Sequence, residues 1–138
     1  MIKEIIKDES ILTQKSEQVT IEEAQEIIAD LLDTANHHID NCAGLAAPQI
    51  GVLKRVIVVR NGNSFFPMIN PVIVKKNGKK FVNTEGCLSL EGCRNVERYS
   101  SVLVGYLDKS GKRCTKAFNG TLAIIVQHET DHLNGKLI

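Results

Sequence analysis

Near the end of the chain stands His128-Glu129-Thr130-Asp131-His132. Successive residues of an α-helix advance by about 100°, so His128 and His132 fall about one turn apart on nearly one face, with Glu129 beside the first of them. Two imidazoles and a carboxylate that converge in this way point to a hydrolytic metal centre. Such a centre needs a third protein ligand and an open position for water. A metzincin-type third His would fall at Ile138, and a thermolysin-type Glu on a later helix would lie past the last residue of the sequence. The third ligand is therefore expected upstream, where the candidates are Cys42, Cys87, Cys93, Cys114, His37, His38 and several carboxylates. Spacing alone does not choose among them. Context favours Cys87, which stands in Glu85-Gly86-Cys87-Leu88-Ser89-Leu90 just after a predicted hairpin, whereas His37 and His38 fall at the fraying end of an amphipathic helix. A thiolate beside two neutral imidazoles suits Zn(II) or Fe(II), and coordination would keep the thiol deprotonated.

The elements that must hold these residues can be read from the periodicity. Thr20-Ile21-Glu22-Glu23 reads as a capping box, followed by Ala24, Ile27, Ile28, Leu31, Leu32 and Ala35 at helical spacing. From Asp40 to Gly51 small residues break that period and permit a close backbone approach. Arg55 to Arg60 is a β-run. Val72 to Lys76 and Lys79 to Val82 flank Asn77-Gly78, a hairpin signal. Val102 to Leu107 and Arg113 to Phe118 read as a second antiparallel pair. Asn119 is expected to cap a last helix whose Leu122, Ala123, Ile124, Ile125 and Val126 leave no clean polar face, so that helix is expected to be buried, with Gly135 as its stop. The expected fold is one α+β domain over residues 1–138, with antiparallel β-sheets wrapped around a central, buried C-terminal metal-binding helix.

A chain of 138 residues can bury a single core without a metal or disulfide to hold it, which leaves a metal free for catalysis. With 43% hydrophobic and 24% charged residues and a formal net charge of +1, nothing favours nucleic acid. The start, with acids inside it and no long apolar run, does not read as a signal or transit peptide, and no stretch is long enough to span a membrane. Four cysteines without an export signal read as reduced thiols in a cytosol. Cys87 and Cys93 are separated by five residues, more than the two to four usual between paired ligands of a structural zinc knuckle.

Three segments, in order, resemble the peptide deformylase family: Gly44-Leu45-Ala46-Ala47-Pro48-Gln49, Glu85-Gly86-Cys87-Leu88-Ser89 and Gln127-His128-Glu129-Thr130-Asp131-His132. The spacing between them fits as well, so the resemblance extends over almost all of the chain. It implies a metal hydrolase that removes the N-terminal formyl group from formyl-methionyl nascent polypeptides in the bacterial cytoplasm and releases formate. It further implies that Cys87, His128 and His132 hold the metal, that Glu129 is the general base and then the acid, and that Gln49 and the backbone N–H of Leu88 receive the oxyanion. The peptide would lie extended along Ala43 and Gly44 and near Gly86, its Met side chain against Ile124 and Ile125. Fe(II) is the metal the resemblance implies, with Zn(II), Ni(II) or Co(II) as substitutes, and the implied partners are nascent chains met in transient association with the ribosome. Two features depart from the pattern. Cys42 stands where the first motif usually opens with Gly, followed only by Ala43, so that a Cβ there would narrow the cleft or conflict with a positive φ angle. The sequence also corresponds to a short form, stopping at Ile138 without the C-terminal extension of many relatives. Two other readings remain beside this one: a peptidase acting on internal bonds, and a closed Cys/His zinc site that would recruit Cys42, Cys93 or Cys114.

Overall fold

Val56, Ile57, Val58 and Val59 are all fully buried, although side chains along a strand alternate between its two faces. The computed structural model, which describes residues 1–138, shows why: this strand, β2 (Val56–Asn61), is a wall shared by two cores. Val56 and Val58 pack with Ala24, Ile28, Leu31 and Ala35 of helix α2 (Ile21–His37). Ile57 and Val59 pack with Ala123, Ile125, Val126 and Leu133 of helix α3 (Gly120–Leu133). The remaining elements are a single helical turn, α1 (Glu9–Leu12), the short strand β1 (Gly44–Ala46), a 3-10 turn (Ala47–Ile50), and strands β3 (Ser64–Glu85), β4 (Arg94–Leu107) and β5 (Arg113–Asn119). They form one five-stranded antiparallel sheet in the order β1-β2-β3-β4-β5. The expected α+β architecture with a buried terminal helix is thus present, built on a single sheet.

The Thr20 hydroxyl accepts the Glu23 N–H at 3.2 Å and donates to the Glu23 carboxylate at 3.0 Å, which starts α2 where the capping signal stands. β4 and β5 pair from Ser101↔Asn119 to Leu107↔Arg113, as the two apolar runs suggest. Asn77-Gly78, by contrast, is no hairpin turn. β3 continues through it, with Asn77 opposite Ser101 and Lys80 opposite Tyr99, so two residues of β3 face one of β4. Gly78 takes the left-handed conformation (φ +73) and the Lys79 N–H donates to Ser100 Oγ at 2.8 Å, which makes this a bulge of the glycine type. The dipeptide supplies positive φ to a bulge as readily as to a turn, and pairing with β4 over the full length decides between them. The chain reverses later, between Glu85 and Arg94, and that connection carries Cys87.

Two further contacts anchor α3. The Gln127 side chain donates to the Tyr99 carbonyl at 2.9 Å and accepts the Tyr99 N–H at 3.0 Å, as a neighbouring strand would. Arg55 donates to the Leu133 carbonyl at 3.2 Å and to Asn134 Oδ1 at 3.0 Å, placing a cation at the helix C-terminus. Asn119 occupies the N-cap position, but its side chain makes no capping hydrogen bond, contrary to the expectation. Gly135 ends the helix as expected. Its φ is +76, and its N–H and that of Lys136 return to the His132 and Asp131 carbonyls. A Cβ at Gly135 would press on the Thr13 carbonyl as well as strain the backbone. Gly135→Ala should therefore destabilise the protein by more than about 1 kcal/mol, lowering Tm by several degrees in calorimetry; an unchanged Tm would contradict this account of the helix stop.

Candidate metal centre and cleft

Helix α3 brings His128 and His132 to one face one turn apart, and the β3–β4 connection lays Cys87 against them. One ligand atom from each lies within 4.8 Å of the others, and the two imidazole Nε2 atoms are 3.2 Å apart. No other set of three His, Cys, Asp or Glu residues comes together in this way. Cys42, Cys93 and Cys114 contribute nothing to it, and His37 and His38 lie at the far end of α2. The closed multi-cysteine reading therefore finds no cluster to support it.

The His128 imidazole is oriented from behind by charge. His128 Nδ1 is 2.7 Å from Glu85 Oε1, which directs its Nε2 toward His132 and Cys87. Glu85 is fixed in turn by Arg98, which donates to both its oxygens at 2.8 to 3.2 Å, and by Asn83 Nδ2 at 2.9 Å. Arg98 is only 4% exposed and reaches Asp131 on α3 at 2.6 Å with its other arm. Burial alone would raise the Glu85 pKa, but the hydrogen bonds from His128, Arg98 and Asn83 and the Arg98 charge outweigh it and hold it at about 2. Burial works against charge on both imidazoles. On His128 the Cys87 and Glu85 contacts overcome that effect and raise its pKa, whereas on His132 the charges of His128 and Arg98 add to it and lower the pKa to about 3, leaving a neutral ring.

Glu129, the next residue on the helix, is 4% exposed, and its Oε1 has no hydrogen-bond partner. Burial is the main cause that pushes its pKa up to about 7. Gly44 faces it so closely that a Cβ there would stand 2.8 Å from Glu129 Oε2 and from Ile125 Cγ2. Above this floor opens a cleft of about 260 Å³, lined among others by Cys42, Ala43 and Gly44 on one side, Gly86, Cys87 and Leu88 on the other, and Ile124 and Ile125 on the helix. Every expected wall residue thus borders it. Gln49 does not border the cleft. It is 1% exposed, with Oε1 accepting the Ala46 N–H at 3.0 Å and Nε2 donating to Ser89 Oγ at 3.2 Å. Ser89 was not singled out from the sequence; it follows Leu88 in the second motif and ties the Cys87 connection to Gln49. Cys42 is buried and its φ is not positive, so the backbone conflict anticipated there does not arise.

The donor set suits a borderline-soft divalent ion: one thiol sulfur and two imidazole nitrogens, beside a buried carboxylate oxygen without a partner. The behaviour of the supporting charges can be tested apart from any metal. Removing one partner of a buried ion pair leaves its counter-charge uncompensated, so Arg98→Leu should cost about 3 to 5 kcal/mol in urea denaturation at neutral pH. Because the folded-state pKa of Glu85 is depressed, its contribution is complete above its ordinary value of 4.5 and disappears as pH falls toward 2. The penalty of Arg98→Leu should therefore shrink across that window; a penalty independent of pH would contradict the network.

The geometry can be set beside known proteins. The family model described as polypeptide deformylase matches residues 2–138. A peptide deformylase of Clostridium beijerinckii is 47% identical over 138 residues, the whole of both chains, and peptide deformylase 2 of Clostridium acetobutylicum is 37% identical over 96% of this chain and 89% of its own. Among solved structures, the actinonin-bound class I type b peptide deformylase of Acinetobacter baumannii superposes with a TM-score of 0.89 at 34% identity, covering 99% of this chain and 95% of that one. The Met-Ala-Ser-bound form of the same enzyme gives 0.88 at 32% identity, covering 99% and 96%. With match, fold and converging Cys-His-His donors in agreement, the chain belongs to the polypeptide deformylase family, metal-dependent hydrolases that remove the formyl group from nascent polypeptides.

Proposed function

We propose that this chain deformylates formyl-methionyl peptides with Cys87, His128 and His132 as the ligands of a single divalent metal and Glu129 as the group that moves protons. The observation that carries this reading is the Glu129 carboxylate, enclosed beside the three donor atoms at the floor of the cleft with one oxygen free of any partner. When bound, such a metal supplies Lewis acidity, which lowers the pKa of a coordinated water from about 15.7 to about 7. Glu129, whose burial disfavours its charged form, is placed to accept a proton at its carboxylate and to return one to the departing amine.

Two donors of the chain serve the oxyanion. The Leu88 N–H makes no hydrogen bond within the protein and lies in a residue that lines the cleft. Gln49 Nε2 uses one hydrogen on Ser89 and keeps a second, but the side chain lies behind the cleft wall at 1% exposure, so this donor reaches substrate only if the amide or its Ser89 partner shifts on binding. Ile124, Ile125 and Ala43 give the Met side chain an apolar slot, and Gly44 and Gly86 border an extended peptide whose backbone hydrogen bonds are indifferent to sequence. That the Acinetobacter baumannii relative binds Met-Ala-Ser supports a peptide led by Met as the ligand class. A thiolate beside two imidazoles accommodates Fe(II), the reading preferred for the working metal, with Zn(II), Ni(II) or Co(II) as substitutes. The substrate is a nascent chain, so the encounter takes place transiently at the ribosome in the cytoplasm. No helix of the structure is long and apolar enough to cross a membrane.

Formate release from a formyl-Met dipeptide, with Fe(II)-loaded protein kept anaerobic, tests the assignment. Glu129→Ala should lose about 10²- to 10⁴-fold in kcat while retaining the metal. Gln49→Leu should lose about 10²- to 10³-fold, the usual effect of removing one oxyanion donor. Unimpaired turnover in Glu129→Ala would sink its role as base, and metal retained at full stoichiometry by Cys87→Ala would remove Cys87 from the ligand set.

A further inference from the structure

The free edge of β1 runs along the cleft, and the fold has already assigned most of its hydrogen-bonding groups. Ala43 turns its carbonyl to β2, where it accepts the Arg60 N–H at 2.9 Å. Peptide groups along an antiparallel strand alternate between the partner and the open side, so Gly44, opposite Val59, turns its N–H and C=O away from β2, and Ala46 does the same. The Ala46 N–H is taken by Gln49 Oε1 at 3.0 Å. The Gly44 carbonyl accepts the thiol of Cys42 at 3.2 Å. Gly44 is thus the place on this edge where an extended peptide can pair.

Cys42 is suited to act on that carbonyl. It is 3% exposed and packed in the core beneath α2, while also bordering the cleft. Burial, reinforced by the Glu129 charge, pushes its thiol up to about 12, so at neutral pH it remains S–H and acts as a donor. A thiol is a weak donor and a carbonyl oxygen carries two lone pairs, so the contact orients the acceptor while leaving one lone pair for another N–H. On the opposite side, Glu129 and Ile125 stand so close to Gly44 that the peptide unit cannot shift toward the helix. Resting on the deformylase reading above, we infer that Cys42 is a positioning residue: its thiol holds the Gly44 carbonyl at the cleft edge, where that carbonyl accepts an N–H of the bound formyl-methionyl peptide.

The test is a comparison of kcat and KM for formyl-Met-Ala-Ser in wild type, Cys42→Ala and Cys42→Ser, all Fe(II)-loaded and checked for folding by their Tm. Loss of a contact made equally in ground and transition states raises KM and spares kcat, so Cys42→Ala should raise KM about 5-fold with kcat within about 2-fold. Cys42→Ser restores a donor of similar size, and its KM should return to within about 2-fold of wild type. A purely packing role gives the opposite order, since a hydroxyl suits this apolar neighbourhood less well than a methyl group. Unchanged KM in Cys42→Ala, or Cys42→Ser no better than Cys42→Ala, overturns the inference. Should Cys42→Ala fold poorly, Cys42→Val, which fills the space without a donor, takes its place against Cys42→Ser and is read by the same criteria. A wild type that releases no formate overturns the deformylase reading itself, and is thereby distinguished from failure of the Cys42 role alone.

Discussion

Helix α3 places Gln127, His128, Glu129, Thr130 and His132 in the interior, each less than a tenth exposed. Buried polar and charged groups are costly unless they are paired, and that cost shapes the surroundings of the helix. Gln127 is satisfied by the backbone of Tyr99, His128 by Glu85, and Glu85 by Arg98, which is itself balanced by Asp131. The network joins β3, β4 and α3 across the core, so positioning of the His128 imidazole and docking of the helix are one interaction. Glu129 is left outside it, with one oxygen unpartnered. An unpaired buried carboxylate disfavours its own ionisation, so burial pushes its pKa up to about 7.

The sheet serves the same end. β3 and β4 are long, at 22 and 14 residues, and their paired run ends at Glu85↔Arg94, just before the connection that carries Cys87. The bulge at Gly78 lets that ribbon bend without breaking its pairing. On the other side of the cleft, β1 runs into the 3-10 turn that begins at Ala47-Pro48, with Gly44 close against Glu129 and the Ala46 N–H taken by Gln49. Ser89 then links Gln49 back to the Cys87 connection. The cleft is therefore bounded by two segments that share a hydrogen bond rather than by independent loops.

Much of this was legible in the sequence because the signals were local. The i, i+4 histidines, the Thr20 cap, the β4–β5 pair and the Gly135 stop each follow from periodicity or end chemistry, and each appears where the residues suggest. Context favours Cys87, but its approach to the histidines is a matter of tertiary path, which spacing does not encode. Asn77-Gly78 misled because turn chemistry and bulge chemistry require the same positive φ, and only the pairing partner separates them. Asn119 occupies its capping position without using its side chain, since propensity marks the place and not the bond. The contacts of Arg98, Ser89 and Arg55 join residues distant in sequence, and nothing local announces them.

The central claim is a single metal held by one sulfur and two imidazole nitrogens, with Glu129 beside it and not on it. X-ray absorption on the Zn(II)-loaded protein tests this most directly. The account predicts one sulfur scatterer at about 2.3 Å and two imidazole nitrogens at about 2.0 to 2.1 Å, with the sulfur shell lost in Cys87→Ala and the whole spectrum unchanged in Glu129→Gln. A second sulfur shell, or a sulfur that survives the loss of Cys87, would contradict it.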